Sequence, residues 1–411
     1  MSRKLLIIYG AGAGLIILII IAILLAPWFL DRTKPVLQVK NLTEQGFYNS
    51  DVQVQLSSSD TRGKLAHFCI KLDYQPVLEK KPGVSSLALD YTLPAAGLAE
   101  GEHRIDFIAT DDSFRKNSTR VSLFFTFDRT APALEWVSPS QKVLQGDVLP
   151  VFIHTPGEKK VQLSGIFMKQ KLPFYPVPYR DQLYRALLPV NPLQKRGVYY
   201  LNVRAKDGAG NVSSADFPVE VRYKSFPGEV IQLNTEKTTI LTDRNAAAVN
   251  RDKMNAALSA SADIQYWKDE FTRPVQGYVT SLFGTQRIYN TGVVYSYHKG
   301  LDLANKQGTP VHSANRGRVV LAEPLPLNGN CVVIDHGQWL FSMYFHMHTI
   351  LVHPGDVVEK GDQIGTIGTT GISTGPHLHW EMHIGDIAID PEQWEKGDLG
   401  NFNPAPTLPP G

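Results

Sequence analysis

Three histidines and a glutamate alternate with apolar residues in the stretch HLHWEMH, residues 377–383. Successive side chains of a β-strand point to opposite faces, so a strand here places His377, His379, Glu381 and His383 on one polar face. Neutral imidazole is the commonest protein ligand for metal ions. The pattern is therefore compatible with two interpretations, a solvated polar face and a metal site.

Two further clusters of polar side chains lie upstream of this stretch. His298 and Asp302 belong to HKGLD, and His346 and His348 belong to YFHMH. The spacing in HKGLD would align both side chains on a helix, but its glycine and the flanking YSYHKGLDLA favour a strand or a turn. Each motif alone is weak, whereas three of them in one glycine-punctuated β domain carry more weight. Catalytic zinc prefers three ligands drawn from His, Asp and Glu and keeps a fourth position for water.

The motifs of this region occur in the order found in a known enzyme family. From about residue 275 to 391 the chain contains HKGLD, GTPVHSANRGRVV, GNCVVIDHG, YFHMH, GDVVEKGDQIG and TGISTGPHLHWE. The region resembles the lysostaphin-like zinc endopeptidases, which have a duplicated hybrid motif domain and cut peptide bonds in bacterial peptidoglycan. This resemblance implies that His298, Asp302 and His379 bind zinc (Zn2+) and that His346 and His377 form the catalytic pair beside it.

The chemistry of these residue types agrees with the roles that the resemblance implies. Zinc lowers the pKa of a bound water toward about 7 and polarises the scissile carbonyl. The sequence has no HExxH motif to supply the glutamate base of other metalloproteases. Histidine titrates near neutral pH, so we expect His377 to act as general base toward the water. His346 is then expected to orient the water or to stabilise the developing oxyanion, and the sequence leaves open which histidine takes which role.

The other polar and aromatic residues of the region receive structural interpretations. Glu381 is expected either to accept a hydrogen bond from a ligand histidine or to lie at the surface. We expect Tyr344 to pack in the core, although its alternation with His346 also allows a place in the cleft. The remaining histidines are interpreted as surface or turn residues: His383 and His348 at the surface or groove edge, and His312, His336 and His353 beside turns.

The first thirty residues predict a membrane anchor. Residues 5–30 carry no charge and exceed the roughly 20 residues that a helix needs to cross a bilayer. A cleaved signal peptide has a shorter apolar core, and the sequence PWF at residues 27–29 looks like the interfacial end of a span. We therefore expect residues 5–30 to form one retained transmembrane helix.

The region after the anchor contains an internal repeat. DRTKPVL at 31–37 matches DRTAPAL at 128–134, and GEHRIDFIATD at 101–111 matches GVYYLNVRAKD at 197–207. The two matches have nearly the same offset, which suits a duplicated small domain. Apolar and polar residues alternate in both copies, as is typical of β-sandwiches. Both copies resemble bacterial immunoglobulin-like repeats, so we interpret residues 31–127 and 128–225 as two immunoglobulin-like β-sandwiches that form a stalk.

The rest of the chain divides into three further segments. Helix-forming residues at 243–258, with Thr242 or Asp243 as the cap, and a second helix that starts near Asp263 predict a helical connector over 229–270. Short apolar runs broken by glycine predict a β domain over 271–396, the metallopeptidase domain of the resemblance. The Pro-rich residues 397–411 are expected to be disordered.

The charge balance argues against a nucleic-acid partner. The 411 residues include 41 Lys and Arg and 39 Asp and Glu, a net charge of +2, whereas binding through phosphates needs a strongly basic surface. The two cysteines, Cys69 and Cys331, fall in different predicted domains, so we expect no disulfide between them.

These features predict a mainly β chain with a transmembrane helix, two immunoglobulin-like β-sandwiches, a short helical connector and a C-terminal antiparallel β metallopeptidase domain. We expect a membrane-anchored zinc endopeptidase that hydrolyses peptide cross-links of peptidoglycan with a zinc-bound water as nucleophile. Peptidoglycan lies outside the cytoplasmic membrane, so this function puts the bulk of the single-pass chain in the periplasm or cell-wall space.

A non-catalytic peptidoglycan-binding regulator that activates another hydrolase is the alternative. A latent enzyme, inhibited by the stalk or by Asn290, is a third hypothesis.

Overall fold

The computed structural model of the chain describes residues 3–158, 160–289, 292–397 and 399. Within these residues it contains thirty strands and four helices, so the expectation of a mainly β chain with few helices is confirmed. The chain divides into two compact units, residues 1–131 with 206–212 and residues 132–205 with 213–411. Asn290 and nearly all of the Pro-rich tail lie outside the described residues.

The N-terminal helix α1 spans Arg3–Leu30. Its last turn contacts residues 112–114 of the same unit. Trp28 Nε1 donates a hydrogen bond of 2.5 Å to the Asp112 carbonyl, and the rings of Trp28 and Phe29 pack on Phe114. Within the described part of the chain, no helix combines the length and the apolarity that a membrane span requires.

Residues 36–127 form two sheets around one apolar core. The strands are β1 (Val36–Lys40), β2 (Gly46–Tyr48), β3 (Val52–Ser59), β4 (Leu65–Leu72), β5 (Gln75–Lys80), β6 (Ser86–Leu93), β7 (Gly101–Asp111) and β8 (Ser118–Phe127). One sheet has the order β1-β3-β6 and the other the order β2-β8-β7-β4-β5. Alternate residues of these strands point inward, so Val54, Ile105, Phe107 and Ala109 are fully buried.

Residues 135–222 form a second pair of sheets. The strands are β9 (Glu135–Trp136), β10 (Lys142–Leu144), β11 (Val148–His154), β12 (Val161–Phe167), β13 (Gln170–Pro173), β14 (Tyr175–Pro176), β15 (Leu183–Pro189), β16 (Gly197–Asp207) and β17 (Val212–Arg222). Their orders are β10-β17-β16-β12-β13 and β14-β15-β11-β9. The expected inward alternation of the second repeat is confirmed for Leu201, Val203 and Ala205, which are fully buried.

The connector to the last domain contains a strand and two helices: β18 (Gly228–Ile231), α2 (Thr235–Thr242) and α3 (Arg244–Ala257). The predicted helix at 243–258 is confirmed as α3. The side chain of Asp243 caps it by accepting hydrogen bonds from the backbone N–H groups of Asn245 and Ala246.

The prediction of a second helix near Asp263 is wrong. The backbone N–H of Ala262 donates to Asp335 Oδ2, and that of Tyr266 donates to the His336 carbonyl. These bonds, together with the burial of Trp267 in the core of the last domain, hold the segment in an extended path along that domain.

The last domain is built on an antiparallel sheet. Its elements are β19 (Tyr278–Ser281), β20 (Gln286–Tyr289), β21 (Gly292–Tyr297), β22 (Gly300–Ala304), β23 (Pro310–His312), β24 (Gly317–Leu325), β25 (Gly329–Asp335), β26 (Leu340–Ile350), β27 (Val357–Val358), β28 (Gln363–Ile367), β29 (His377–Ile384), β30 (Ile387–Ile389) and α4 (Pro391–Glu395). The main path runs β19-β22-β29-β26-β25-β24-β27, while β20 and β21 form a separate sheet with β18. Leu301, Tyr344 and Trp380 belong to the core on one face, and Phe341 and Phe345 to a second apolar cluster that includes residues of α3.

The strands beside the predicted site approach each other closely at Gly300. In the antiparallel pair β22 and β29, Gly300 lies opposite Glu381 and Asp302 lies opposite His379. A Cβ atom at Gly300 would lie 2.3 Å from the carbonyl oxygen of Trp380 and 2.9 Å from Cγ of Glu381. A residue without a Cβ is therefore needed for this spacing.

We expect Gly300→Ala to lower the free energy of unfolding by about 1–3 kcal/mol, because the added methyl group forces the two strands apart. Urea unfolding of the full chain, followed by tryptophan fluorescence, measures the change. Gly228→Ala is the control, since no atom lies within 4 Å of the corresponding Cβ position. A Gly300→Ala protein as stable as the wild type would contradict the need for close approach.

Candidate functional site

Three side chains that the sequence singles out as metal ligands converge in the structure. His379 lies on β29, Asp302 lies directly opposite on β22, and His298 lies two residues before β22. His298 Nε2 is 3.0 Å from Asp302 Oδ1 and 2.8 Å from His379 Nδ1. His379 Nδ1 is 2.7 Å from Asp302 Oδ1. The three residues are buried, and one ligand atom from each lies within 4.8 Å of the others.

Hydrogen bonds determine which nitrogen of each imidazole faces this cluster. His298 Nδ1 donates to the Leu282 carbonyl at 2.9 Å, and His379 Nε2 donates to Glu381 Oε1 at 2.8 Å. Both partners act as acceptors, so each ring proton lies on the nitrogen that points away from the cluster. When the imidazoles are neutral, the nitrogens that face the Asp302 carboxylate carry lone pairs. The expectation that Glu381 accepts a hydrogen bond from a candidate ligand histidine is confirmed.

Three acceptors that meet in a buried place require a cation between them. Burial alone raises the pKa of Asp302, but hydrogen bonds with His298 and His379 hold it well below its usual range. Burial lowers the pKa of His379, but hydrogen bonds with Asp302 and Glu381 outweigh this and raise it to about 9. A proton is therefore held tightly at this point, and a metal ion bound by the same atoms has to displace it. Two nitrogens and a carboxylate oxygen suit a divalent ion such as zinc.

The sequence-based predictions missed Arg287, which binds the other carboxylate oxygen of Asp302. Its Nη2 donates to Asp302 Oδ2 at 2.8 Å, and its Nε donates to Glu229 Oε1 at 2.6 Å. This contact directs Oδ1 of Asp302 toward the imidazoles and favours the ionised carboxylate. Glu229 lies opposite Arg287 because β18 and β20 pair in parallel. No local motif signals the contact between Arg287 and Glu229, since these two residues are 58 positions apart.

The two histidines predicted as the catalytic pair lie beside the cluster. Their ring centroids are 5.0 Å apart, and His377 Nε2 is 3.7 Å from Asp302 Oδ1. His377 Nδ1 donates to the Gly375 carbonyl and His346 Nδ1 donates to the Thr370 carbonyl, both at 2.8 Å. Burial lowers the pKa of both histidines, that of His346 to about 3. Both rings are therefore neutral at pH 7 and carry a lone pair on Nε2.

His346 reaches the site through a break in strand alternation. Phe345 lies opposite His379 and stacks on its ring at 5.5 Å, so a regular strand would turn His346 toward the core together with Tyr344. His346 instead has a φ of 61°, which is uncommon for a residue with a side chain. The register of β26 with β25 and with β28 also shifts near this position. Tyr344 is fully buried and accepts a hydrogen bond from the Ala314 N–H, so the prediction of core packing is confirmed.

The prediction of a surface position for His383 is wrong. This residue is buried, and its Nε2 donates to Glu381 Oε2 at 2.7 Å. The neighbouring strand β26 places Phe341 directly opposite His383. Phe341 belongs to the apolar cluster that includes Ala257 of α3. This cluster covers the face of the sheet on which His383 lies and keeps its ring from solvent.

The remaining histidines of the domain do not join the site. His336 is fully buried, and its ring nitrogens lie 2.8 Å from the Arg316 carbonyl and 2.7 Å from Ser342 Oγ. Burial lowers its pKa to about 4, which agrees with the expected structural role. His348 and His353 are exposed, and His312 is partly buried.

A cavity of about 350 Å³ opens over the cluster. Its walls include Ile231 and Leu233 of the connector and residues 373–375 of the loop before β29. Lys237 of α2 donates from Nζ to the Gly371 carbonyl at 2.6 Å, which fastens the connector to this loop. The connector therefore forms one wall of the candidate site, a contribution that the sequence did not predict.

The antiparallel domain brings two imidazoles and a carboxylate together, a donor set that can bind a metal ion. Residues 296–391 match the profile of Peptidase family M23, so the C-terminal part of the chain contains a Peptidase M23 domain. The resemblance drawn from the sequence motifs is thereby confirmed for the C-terminal domain.

Curated relatives match part of the chain. Peptidoglycan DD-endopeptidase ShyA of Vibrio cholerae is 36% identical over 164 residues, which cover 37% of this chain and 38% of that protein. ShyB of the same organism is 38% identical over 113 residues, which cover 27% and 26%. The chain thus spans well under half the length of these relatives. Among solved structures, the catalytic domain of the antimicrobial peptidase lysostaphin from Staphylococcus simulans is 28% identical, with a TM-score of 0.24 and coverage of 32% of this chain and 92% of that one.

We expect Glu381→Gln to weaken metal binding about 10- to 100-fold, because the carboxylate that orients the His379 ring is lost. Competition with a chromophoric chelator measures the affinity. Glu359→Gln is the control, since Glu359 is an exposed residue that pairs with Arg316. Equal metal affinity in Glu381→Gln and the wild type would refute the orienting role.

Proposed function

We propose that the chain is a membrane-anchored zinc endopeptidase that hydrolyses peptide cross-links of bacterial peptidoglycan. One observation carries the proposal: His298, Asp302 and His379 converge in a buried cluster, and two neutral imidazoles, those of His346 and His377, lie beside it. The relatives ShyA and ShyB, which are described as peptidoglycan DD-endopeptidases, support this choice of substrate.

The donor set fits zinc. Two imidazole nitrogens and one carboxylate oxygen form the kind of three-residue set that catalytic zinc sites use. Each donor group is fixed by a further partner: His298 by the Leu282 carbonyl, His379 by Glu381, and Asp302 by Arg287. When bound, zinc supplies Lewis acidity that makes water more acidic and polarises the scissile carbonyl.

His377 is the proposed general base. Its Nδ1 proton is held by the Gly375 carbonyl, so only Nε2 is free to accept, and this atom lies 3.7 Å from Asp302 Oδ1. Burial lowers its pKa and keeps the ring neutral at neutral pH. Nε2 can therefore take a proton from the attacking water and deliver it to the leaving amine of the peptide bond.

His346 is proposed to orient the attacking water. Its Nδ1 proton is held by the Thr370 carbonyl, so the neutral ring can only accept at Nε2. Stabilisation of an oxyanion needs a donor, and the pKa of about 3 opposes the second proton that would make His346 one. Of the two roles left open by the sequence, orientation of the water is favoured.

The proposed location is the cytoplasmic membrane, with the bulk of the chain in the periplasm or cell-wall space. The uncharged residues 5–30 support the anchor. Leu18 and Leu24 of α1 have exposed fractions of 64% and 71%, an apolar surface that lipid would cover. The orientation follows from the substrate, which lies outside this membrane. We assign the two β-sandwiches the role of a stalk.

A non-catalytic peptidoglycan-binding regulator is the alternative function. Loss of a metal ligand or of a proton-transfer residue would favour it. All five positions are filled here, and their donors converge, so the enzyme is the preferred proposal.

The full-length protein loaded with zinc is expected to release peptides with cleaved cross-links from isolated peptidoglycan. Mass spectrometry of the soluble fragments identifies the bond that is cut. A chelator should abolish release, and added zinc should restore it. A protein that carries one zinc ion per chain but is inert on peptidoglycan from several bacteria would favour the regulator instead.

Substitutions should separate the ligands from the proton-transfer residues. His298→Ala is expected to lose zinc and activity together, whereas His346→Ala and His377→Ala should keep zinc and lose at least about 100-fold in kcat. Zinc content and kcat on a cross-linked peptide fragment are measured on the same samples. His348→Ala, at an exposed position of the same strand as His346, is the control. Wild-type turnover in His346→Ala or His377→Ala would break the assignment.

A further inference from the structure

A second group of carboxylates lies in the first β-sandwich, and the proposed function does not use it. Asp31 precedes β1, Asp60 follows β3, and Asp111 ends β7, so all three lie at one end of the sandwich. One carboxylate oxygen from each lies within 4.8 Å of the others. Their exposed fractions are 4%, 5% and 0%. Three buried carboxylates at this distance repel one another unless positive charge compensates them.

Asp60 supplies the least satisfied atom of this group. Its Oδ1 accepts hydrogen bonds from the backbone N–H groups of Arg62 at 2.8 Å and Gly63 at 2.9 Å. Its Oδ2 is buried and has no hydrogen-bond partner among the described residues. A buried carboxylate oxygen without a partner is costly, and such an atom indicates a bound group that the protein alone does not provide.

Basic side chains do not compensate the group. In the part of the chain that the structure describes, none of Asp31, Asp60 and Asp111 forms an ion pair with a lysine or an arginine within 4.0 Å. The hydrogen-bond donors to Asp31 and Asp111 are neutral: the Thr33 N–H, the N–H and Oγ of Ser113, and Asn117 Nδ2. Among the described residues, no lysine or arginine therefore balances the negative charge of this group through an ion pair.

We propose that Asp31, Asp60 and Asp111 bind one calcium ion. The ligands are carboxylate oxygens without nitrogen or sulfur donors, which is the set that hard cations prefer. Calcium–oxygen distances of about 2.3–2.6 Å allow ligands on opposite sides of one ion to lie about 5 Å apart, whereas magnesium at about 2.1 Å needs a tighter set. The carboxylate oxygens lie within 4.8 Å of one another, a distance that one calcium ion can span. Magnesium usually keeps several waters and binds only one or two carboxylates, so three carboxylates favour calcium.

The second repeat helps to separate structural contacts from ligand atoms. Asn211 Nδ2 donates to Asp207 Oδ2 at 2.9 Å, just as Asn117 Nδ2 donates to Asp111 Oδ2 at 2.8 Å. This Asp–Asn contact occurs in both copies and belongs to the repeated fold. Asp60 differs, because its Oδ2 is buried without a hydrogen-bond partner among the described residues.

The calcium site would lie where the N-terminal helix meets the first β-sandwich. Asp31 directly follows Leu30, the last residue of α1, and Trp28 donates to the carbonyl of Asp112, the neighbour of Asp111. An ion bound to both Asp31 and Asp111 links the chain that leaves α1 to the end of β7. Calcium would therefore stiffen the connection between α1 and the first β-sandwich.

Titration of the zinc-loaded, detergent-solubilised full chain with CaCl2 tests the proposal. Calorimetry is expected to report one calcium ion per chain at this site, and scanning fluorimetry a rise in the unfolding temperature on addition of CaCl2. This part of the test needs no variant. Absence of binding up to millimolar CaCl2, the range of weak extracellular calcium sites, would overturn the proposal.

Asp60→Asn provides the sharper comparison, because asparagine can keep the two hydrogen bonds to the backbone while it removes the charge. We expect calcium to bind at least about tenfold more weakly and no longer to raise the unfolding temperature. In calcium-free buffer the variant should be at least as stable as the wild type, since repulsion between the carboxylates is reduced. Asp112→Asn is the matched control, because its carboxylate accepts from the Lys64 N–H and lies outside the group.

Two results with this pair would contradict the proposal. One is equal calcium affinity in Asp60→Asn and the wild type. The other is an Asp60→Asn protein that is destabilised to the same extent with and without CaCl2, which would give Asp60 a purely structural role.

Discussion

The candidate site depends on the register of one strand pair. β22 and β29 place Asp302 opposite His379, although these residues lie 77 positions apart. A slip of one residue would set Asp302 opposite Leu378 or Trp380, which face the apolar core. The same register brings the strand backbones together at Gly300. The geometry of the candidate metal ligands is therefore a consequence of sheet architecture, fixed by the hydrophobic face that the two strands share.

The partners of the imidazoles divide them into two functional kinds. His379 is hydrogen-bonded to the carboxylates of Asp302 and Glu381, which raise its pKa and strengthen its tendency to hold a cation. His346 and His377 are hydrogen-bonded to neutral carbonyl groups, and burial lowers the pKa of each. His298 has both kinds of partner, the Leu282 carbonyl at Nδ1 and the Asp302 carboxylate at Nε2. Direct contact with the Asp302 carboxylate therefore sets the two candidate ligand histidines apart from His346 and His377, whose rings are left to accept a proton at neutral pH.

Local pattern could predict the polar face of β29, since alternation within one strand depends only on neighbouring residues. It could not predict that His346 reaches the same site, because the change of face arises where the register of β26 shifts against two other strands. Arg287 was missed for a related reason: its contact with Glu229 exists only through the parallel pairing of β18 and β20. His383 was placed at the surface because alternation identifies a face but not the elements that cover it. The family motifs supplied the site residues that periodicity alone left undecided.

The central claim is that one zinc ion is bound by His298, Asp302 and His379. A crystal structure of the zinc-loaded protein, with anomalous diffraction recorded on both sides of the zinc absorption edge, tests it most directly. The expected result is one zinc peak within bonding distance of His298 Nε2, Asp302 Oδ1 and His379 Nδ1, about 2.0–2.2 Å from each. A zinc peak bound elsewhere, or one bound without Asp302 and His379, would contradict it.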